Sequence, residues 1–391
     1  MKNRYRFVVV MLLLAACSGL QADGTELDVP VADVSLDEPT PAVQEPAEDV
    51  EPTDAPGGTS PSVPDEVSER FAITSMSYAS FAQITEFPLP DTPRAVAFSP
   101  DSRLLAVALG NSDVFDVYIW DLELGELMLV LREHEGIVWD VAFSPDGRMI
   151  ASSSADGTVC IWRTADGELL RRLEHPGDIS AIAFSPDGTV LAAGGVKEWP
   201  VAAVWLYDTQ TWALIDELEA AWNIPGIVFF PERGYIAGGG ISRNVSVWSE
   251  SSGEELFLLY HPGQVQGLDR DRDGDLLITG PCIEGEDYDC VASELWAWDM
   301  ADGTIAYQAG VDTTEVNGLD VSPLGDLLVV AGEDRLLRLF AVDDLSLTAY
   351  YDTGEGRLFD AVFSPDATYV AVAGTDEVQL WGIVPPGVDT P

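Results

Sequence analysis

The chain has 391 residues, of which 47% are apolar, enough to bury one large β domain or two ordinary domains. It carries 19 Lys and Arg against 67 Asp and Glu, a net charge of −48. Nucleic acid and anionic membrane surfaces repel such a protein, while basic proteins, cations and neutral ligands remain open as partners.

The first predicted element is an address. "MKNRYRFVVVMLLLAACSGL" places Lys2, Arg4 and Arg6 ahead of ten apolar residues, Phe7 to Ala16. That run is too short to span a bilayer, which needs about 20 residues, but it suits the core of a signal peptide. It ends in Leu14-Ala15-Ala16-Cys17, which resembles the lipobox of bacterial lipoproteins. The resemblance implies a signal peptide over 1–16 and a lipidated Cys17 as mature N-terminus. It also implies an extracytoplasmic protein held to the cell envelope by its acyl chains. Ser18 stands where an Asp can direct retention in the inner membrane, so which membrane carries the anchor stays open. The other reading is an ordinary secretory signal that contains a Cys.

Residues 17–72 form the second element. Pro, Glu, Asp, Thr and Ser dominate, and no Lys or Arg occurs between 18 and 69. Such a segment cannot offset its ordering entropy and is expected to be a disordered acidic tether, spanning roughly 40 Å as a coil and up to roughly 160 Å when extended.

From residue 73 to 386 the chain repeats itself, leaving 387–391 as a tail. "VAFSPDS" (96–102), "VAFSPDG" (141–147), "IAFSPDG" (182–188) and "AVFSPDA" (361–367) share one core. With the Ser of this motif or its equivalent as a ruler, the positions are Ser99, Ser144, Ser185, Phe230, Asp271, Ser322 and Ser364. The steps are 45, 41, 45, 41, 51 and 42 residues, a period that belongs to four-stranded propeller blades. A short strand precedes each ruler residue, and a second follows it. A third ends on an aromatic residue: Trp120, Trp162, Tyr207, Trp248, Trp298, Phe340 and Trp381. A fourth follows a "DGEL"-like turn. Ser-Pro-Asp-Gly reads as the turn between the first two strands: Pro presets φ, Asp bonds its own backbone and Gly accepts φ > 0. The pattern resembles the WD40 family, although at the end of the third strand the Trp-Asp pair itself survives only at Trp120-Asp121 and Trp298-Asp299. The resemblance implies an all-β, seven-bladed propeller that binds protein partners as a monomeric scaffold and is not an enzyme. The last blade has only three strands, and "FAQITEFPL" (81–89) has no blade of its own, so this strand is expected to close the ring.

Chemistry-bearing residues are few. His134, His175 and His261 each lie ten residues before a ruler position, so they sit one per blade and cannot form a triad. In WD40 proteins a His here bonds an Asp in a turn, and Asp156 is the clear partner, for His134. Cys160 reads as a core thiol. Cys282 and Cys290 bracket a long stretch of blade five. The lipobox puts them where disulfides persist, so a bridge is expected, with two free thiols or a soft metal site as alternatives. Asp269, Asp271 and Asp273 match the first half of a calcium loop, but the EF-hand Glu position holds Gly280 and the register also explains Asp273-Gly274 as this blade's turn. No other metal and no cofactor is expected.

The ring has two faces, and length irregularities gather on the face opposite the FSPD turns. Five residues before each ruler stand Arg94, Trp139, Ser180, Pro225, Gln266, Asn317 and Phe359, expected at the mouth of the channel. With Trp199 and Trp222 they suggest a partner-binding face with Trp139 and Phe359 central and Glu284, Glu286 and Asp287 at the rim. The alternative is that these rings pack under their own loops. The function expected is therefore a membrane-anchored scaffold. An outer-membrane assembly-factor lipoprotein and a ligand-binding or lyase-type propeller are the alternatives, and the sequence names no partner.

Overall fold

The computed structural model describes residues 81–383 except 112, 285–289 and 355. Among the described residues every regular element is a strand, and the strands form seven antiparallel four-stranded sheets. Blade 1 covers 93–131, blade 2 138–174, blade 3 179–221, blade 4 227–260, blade 5 265–311 and blade 6 316–352. Blade 7 takes three strands from 360–383 and its outermost strand, Phe81–Pro88, from the other end of the propeller sequence. Phe81 pairs with Ile383 and Pro88 with Glu377, so the ring closes as the sequence predicts.

Burial falls from the second strand outward. Second strands such as Leu104–Leu109 are buried on both faces, while outer strands such as Leu169–Glu174 alternate towards solvent. There is no single core. Seven hydrophobic clusters each span one joint between adjacent blades. Phe98, Phe143, Phe184 and Phe363, the first letter of each FSPD, belong to four of these joints.

The turns explain the Ser of the motif as well as its Pro, Asp and Gly. Ser144 Oγ donates to Asp146 at 2.8 Å and accepts from the Met149 N–H at 2.9 Å, while Asp146 also accepts from the Arg148 N–H at 3.0 Å. The same bonds recur at Ser99, Ser185 and Ser364. Gly147 and Gly188 occupy the left-handed position with φ of 70° and 74°, whereas blades 1 and 7 place Ser102 and Ala367 there at 59°. A side chain at positive φ costs about 1–2 kcal/mol. Ser102 has a second role, since its Oγ accepts from the Asp366 N–H at 3.2 Å. Ala367 has none, so Ala367→Gly is expected to raise stability by about 0.5–1 kcal/mol, net of the entropy that Gly adds to the unfolded chain. Gly147→Ala should lower it by a similar amount. Denaturant midpoints of the two variants check both signs.

Candidate interaction face at the channel mouth

The first strand of each blade lines the central channel and runs towards the FSPD turn. Residues near its start therefore face the opposite opening. All seven of the positions five before the ruler line one cavity of about 410 Å³ at that opening. Because the blades repeat, their chemistry should repeat as well, yet here it is Arg, Trp, Ser, Pro, Gln, Asn and Phe.

Arg94 is the centre of the cluster. Its Nε donates to the Gly110 carbonyl at 2.7 Å and its Nη2 to Asn111 Oδ1 at 3.5 Å. The guanidinium lies 5.5 Å from the Trp139 ring centroid and 5.1 Å from that of Phe359. Arg357, which the sequence reading missed, lies 4.9 Å from the same Phe359 ring. It reaches Glu333 at 2.8 Å and donates to Asn317 Oδ1 at 3.2 Å. Burial and then the neighbouring Arg357 charge pull the Arg94 pKa below its ordinary value, with Asp91 opposing. Ser180 donates to Asn223 Oδ1 at 2.6 Å, and Asn317 Nδ2 donates to the Leu358 carbonyl at 2.7 Å. These bonds fix the polar wall. Trp139 and Phe359 are thus half-buried against arginines that share the cavity with them.

Trp199 and Trp222 are placed elsewhere. They sit beside the tip of the second hairpin of blade 3, outside the cavity, 68% and 42% exposed, with ring centroids 4.8 Å apart edge to face. They pack on each other and do not lie under a loop. Gln266 and Asn317 do line the cavity. Cys282 and Cys290 form a disulfide in blade 5 with Cα atoms 5.5 Å apart, whereas Cys160 is free and buried at the joint of blades 1 and 2. Burial pushes the Cys160 thiol up to about 12. Cys17, Glu286 and Asp287 lie outside the described residues, as does the tether.

Two carboxylates of the calcium-like motif point to different places. Asp271 belongs to the FSPD-side turn, where its Oδ1 accepts from the Leu276 N–H at 2.8 Å in the role of the Ser. Asp269 points across to blade 6, where its Oδ2 accepts from the Val321 N–H at 2.8 Å. Asp269 and Asp271 therefore serve separate backbone bonds, and no group of three metal-ligating side chains comes together among the described residues.

Asp269 is one of four such carboxylates on the first strands, a set the sequence reading did not recognise. Asp140 accepts from Ile182 N–H at 2.9 Å, Asp320 from Phe363 N–H at 2.7 Å and Asp360 from Val96 N–H at 3.0 Å, each in the next blade. Burial raises all four. Asp140 is pushed up to about 7 and Asp360 to about 6, burial dominating in both. Burial and the adjacent Asp269 carboxyl hold Asp320 protonated well above the usual range.

The histidines are structural. His134 Nδ1 lies 3.1 Å from Asp156 Oδ2 and its Nε2 2.8 Å from Ser152 Oγ, which also accepts from the Trp162 indole at 3.0 Å. His261 repeats this with Thr279 and Trp298 but has no Asp, and His175 meets Tyr207 Oη at 3.0 Å. Burial lowers His175 and His261 to about 4, so both are neutral at pH 7.

Seven closed blades of this geometry define a repeat β-propeller. The family described as "WD domain, G-beta repeat" matches residues 125–163, 167–196 and 308–340. These repeats, with the seven blades, identify the chain as a WD40-repeat propeller. Nuclear distribution protein PAC1 of Ajellomyces capsulatus is 44% identical over 79 residues, 20% of this chain and 17% of that protein. Serine-threonine kinase receptor-associated protein of Gallus gallus is 35% identical over 92 residues, 24% and 25% of the two chains. The Protein LST8 homolog of Drosophila melanogaster is 40% identical over 85 residues, 20% and 26%. The matched stretch thus spans about a quarter or less of each relative.

A carboxyl whose pKa is higher in the folded than in the unfolded protein, where it is about 3.9, contributes stability that is complete below the unfolded value and is lost as pH rises through the folded one. For Asp140 that loss runs through about pH 7. The Asp140→Asn variant should therefore gain on the wild type by roughly 1–3 kcal/mol between pH 5 and pH 8. Parallel denaturant titrations of the two proteins measure that difference.

Proposed function

We propose that this propeller is a membrane-anchored, extracytoplasmic scaffold that holds a protein partner at the channel-mouth face. The observation that carries the reading is the convergence of seven unlike side chains, two of them aromatic, on one cavity of a molecule that otherwise repeats itself. Selection for folding alone would repeat those positions as it repeats the FSPD turns. Aromatic and Arg groups in a half-buried pocket with a polar surround are what interface anchors use. A scaffold role also fits the WD40 relatives, one of which is named for its association with a receptor kinase. The net charge of −48 favours a partner whose surface is basic overall, through long-range attraction that salt weakens.

Capture of envelope proteins on the immobilised chain, read by mass spectrometry, tests the face. Trp139→Ala with Phe359→Ala is expected to weaken capture at least tenfold, about 1.4 kcal/mol, measured well below the melt, which loss of the Phe359 packing between blades 7 and 1 should lower. Arg148→Ala on the FSPD side should leave capture intact, and the reverse pattern would overturn the assignment.

Anchoring rests on the Leu14-Ala15-Ala16-Cys17 sequence. Cys17→Ser should move the protein from the membrane pellet to the soluble fraction, because acyl chains bind at about 0.8 kcal/mol per buried CH₂. Retention of the variant in the pellet of cells lacking the captured partner would refute the lipobox reading.

A further inference from the structure

The donors and acceptors of the channel mouth are unequal. Arg94 donates its side-chain hydrogen bonds to two neutral oxygens, Gly110 O and Asn111 Oδ1. The Trp139 indole N–H and the Gln266 amide line the same cavity and have no hydrogen-bond partner among the described residues. Arg357 Nε is buried and unpartnered. An indole and a guanidinium can only donate. The carboxylates nearby already serve other groups: Asp91, whose charge reaches Arg94, takes the Thr92 and Asn111 N–H groups. Asp140 takes the Val141 and Ile182 N–H groups, and Asp360 takes those of Ala361 and Val96. Glu333 and Glu315 answer Arg357 at 2.8 and 4.0 Å, so Arg94 is the guanidinium with the greater need of an anion.

We propose that the mouth receives the carboxylate of an acidic side chain, Glu or Asp, that the partner inserts between Trp139, Phe359, Arg94 and Gln266. The inference rests on the reading that this face holds the partner, and adds the chemistry it selects. Two guanidiniums drawn to one phenyl ring are pre-oriented by its face. An anion beside Arg94 would give it the charge-assisted hydrogen bonds, the strong class, that Glu333 already gives Arg357. The channel carboxylates oppose it less than their number suggests, since burial holds them partly protonated near neutral pH. A side chain fits better than a chain end. The hairpins of blades 3 and 5 carry strands of eight to ten residues where six is usual, so they project beside the mouth. A partner segment lying across that rim offers a side chain to the opening. The long-range charge of the protein and the short-range chemistry of its mouth then act on different parts of one partner: a basic surface approaches, and a single carboxylate enters.

Titration of the full chain with acetyl-Gly-Glu-Gly-amide, acetyl-Gly-Gln-Gly-amide, acetyl-Gly-Lys-Gly-amide and acetyl-triglycine tests this. The readout is the Trp139 indole N–H resonance, assigned with Trp139→Phe. The Glu peptide should saturate the shift and bind at least tenfold tighter than the Gln and Lys peptides. Arg94→Gln should abolish that preference and Arg94→Lys should restore part of it. Tighter binding of the Lys peptide, no saturable shift at about 10 mM, or an unchanged preference in Arg94→Gln would overturn the proposal. Equal binding of acetyl-triglycine, whose only carboxylate is its end, would overturn the side-chain assignment. If the peptides fail while Trp139→Ala with Phe359→Ala still weakens partner capture, the face stands and the carboxylate falls. If capture is also unaffected, both fall.

Discussion

Each blade of this propeller has two apolar faces and is too thin to cover either. Leu105, Val107 and Leu109 on one side of a strand and Ala106 and Ala108 on the other are all fully buried, but by different neighbours. The joints therefore hold the molecule together. A linear array would leave two such faces bare, and only a ring satisfies all of them. Closure by Phe81–Pro88 follows from this demand. Its Phe87 packs into the joint between blades 7 and 1, 4.9 Å from the Trp120 ring, so the last blade is completed by the strand that leads into the first.

The ring in turn makes the site. First strands that differ in sequence are brought to one axis, so a position carried once per blade becomes one of seven contributors to a single cavity. The joints use these positions in different ways, Phe359 by packing between blades 7 and 1 and Ser180 and Asn317 by bonding the entry to the next blade, so no one residue type is demanded there. At the FSPD turns the Ser–Asp bonds allow little, which is why four turns are nearly identical and the seven mouth residues are not.

Much of this was legible in the sequence. The ruler spacing located the blades, the orphan strand, the His134–Asp156 pair and the seven mouth positions, since each depends on residues at a fixed offset within one repeat. What could not be read depends on contacts between repeats. Arg357 lies seven residues before its ruler, in a loop, and joins Arg94 only when blade 7 meets blade 1. The channel carboxylates use two offsets: Asp140 and Asp360 are four before the ruler, Asp269 and Asp320 are two. Each bonds a strand more than 40 residues away in sequence. Asp269 stands out in the sequence only as part of a calcium-like motif, because a turn and a channel wall happen to be adjacent there. Trp199 and Trp222 were assigned to the correct face, but the length of their hairpin carries them beyond the cavity.

Those carboxylates also divide the ring unevenly. They tie blade 2 to 3, 5 to 6, 6 to 7 and 7 to 1. The corresponding positions are Ala95 and Ala97 in blade 1, Ala181 and Ala183 in blade 3, and Gly226 and Val228 in blade 4, none of which has a side chain to reach across. Blades 5, 6, 7 and 1 thus form one continuous riveted arc, which contains the Arg94–Phe359–Arg357 cluster. Blade 4 lacks such a carboxylate on either side and is held to blade 5 at the FSPD-side turns instead, where Arg233 donates to the Gly274 carbonyl at 2.7 Å and Arg270 meets Glu232 at 2.9 Å. The channel wall is thus pinned by buried carboxylates along one arc and held by packing and outer side-chain pairs elsewhere, and the aromatic and arginine side of the mouth stands on the pinned arc.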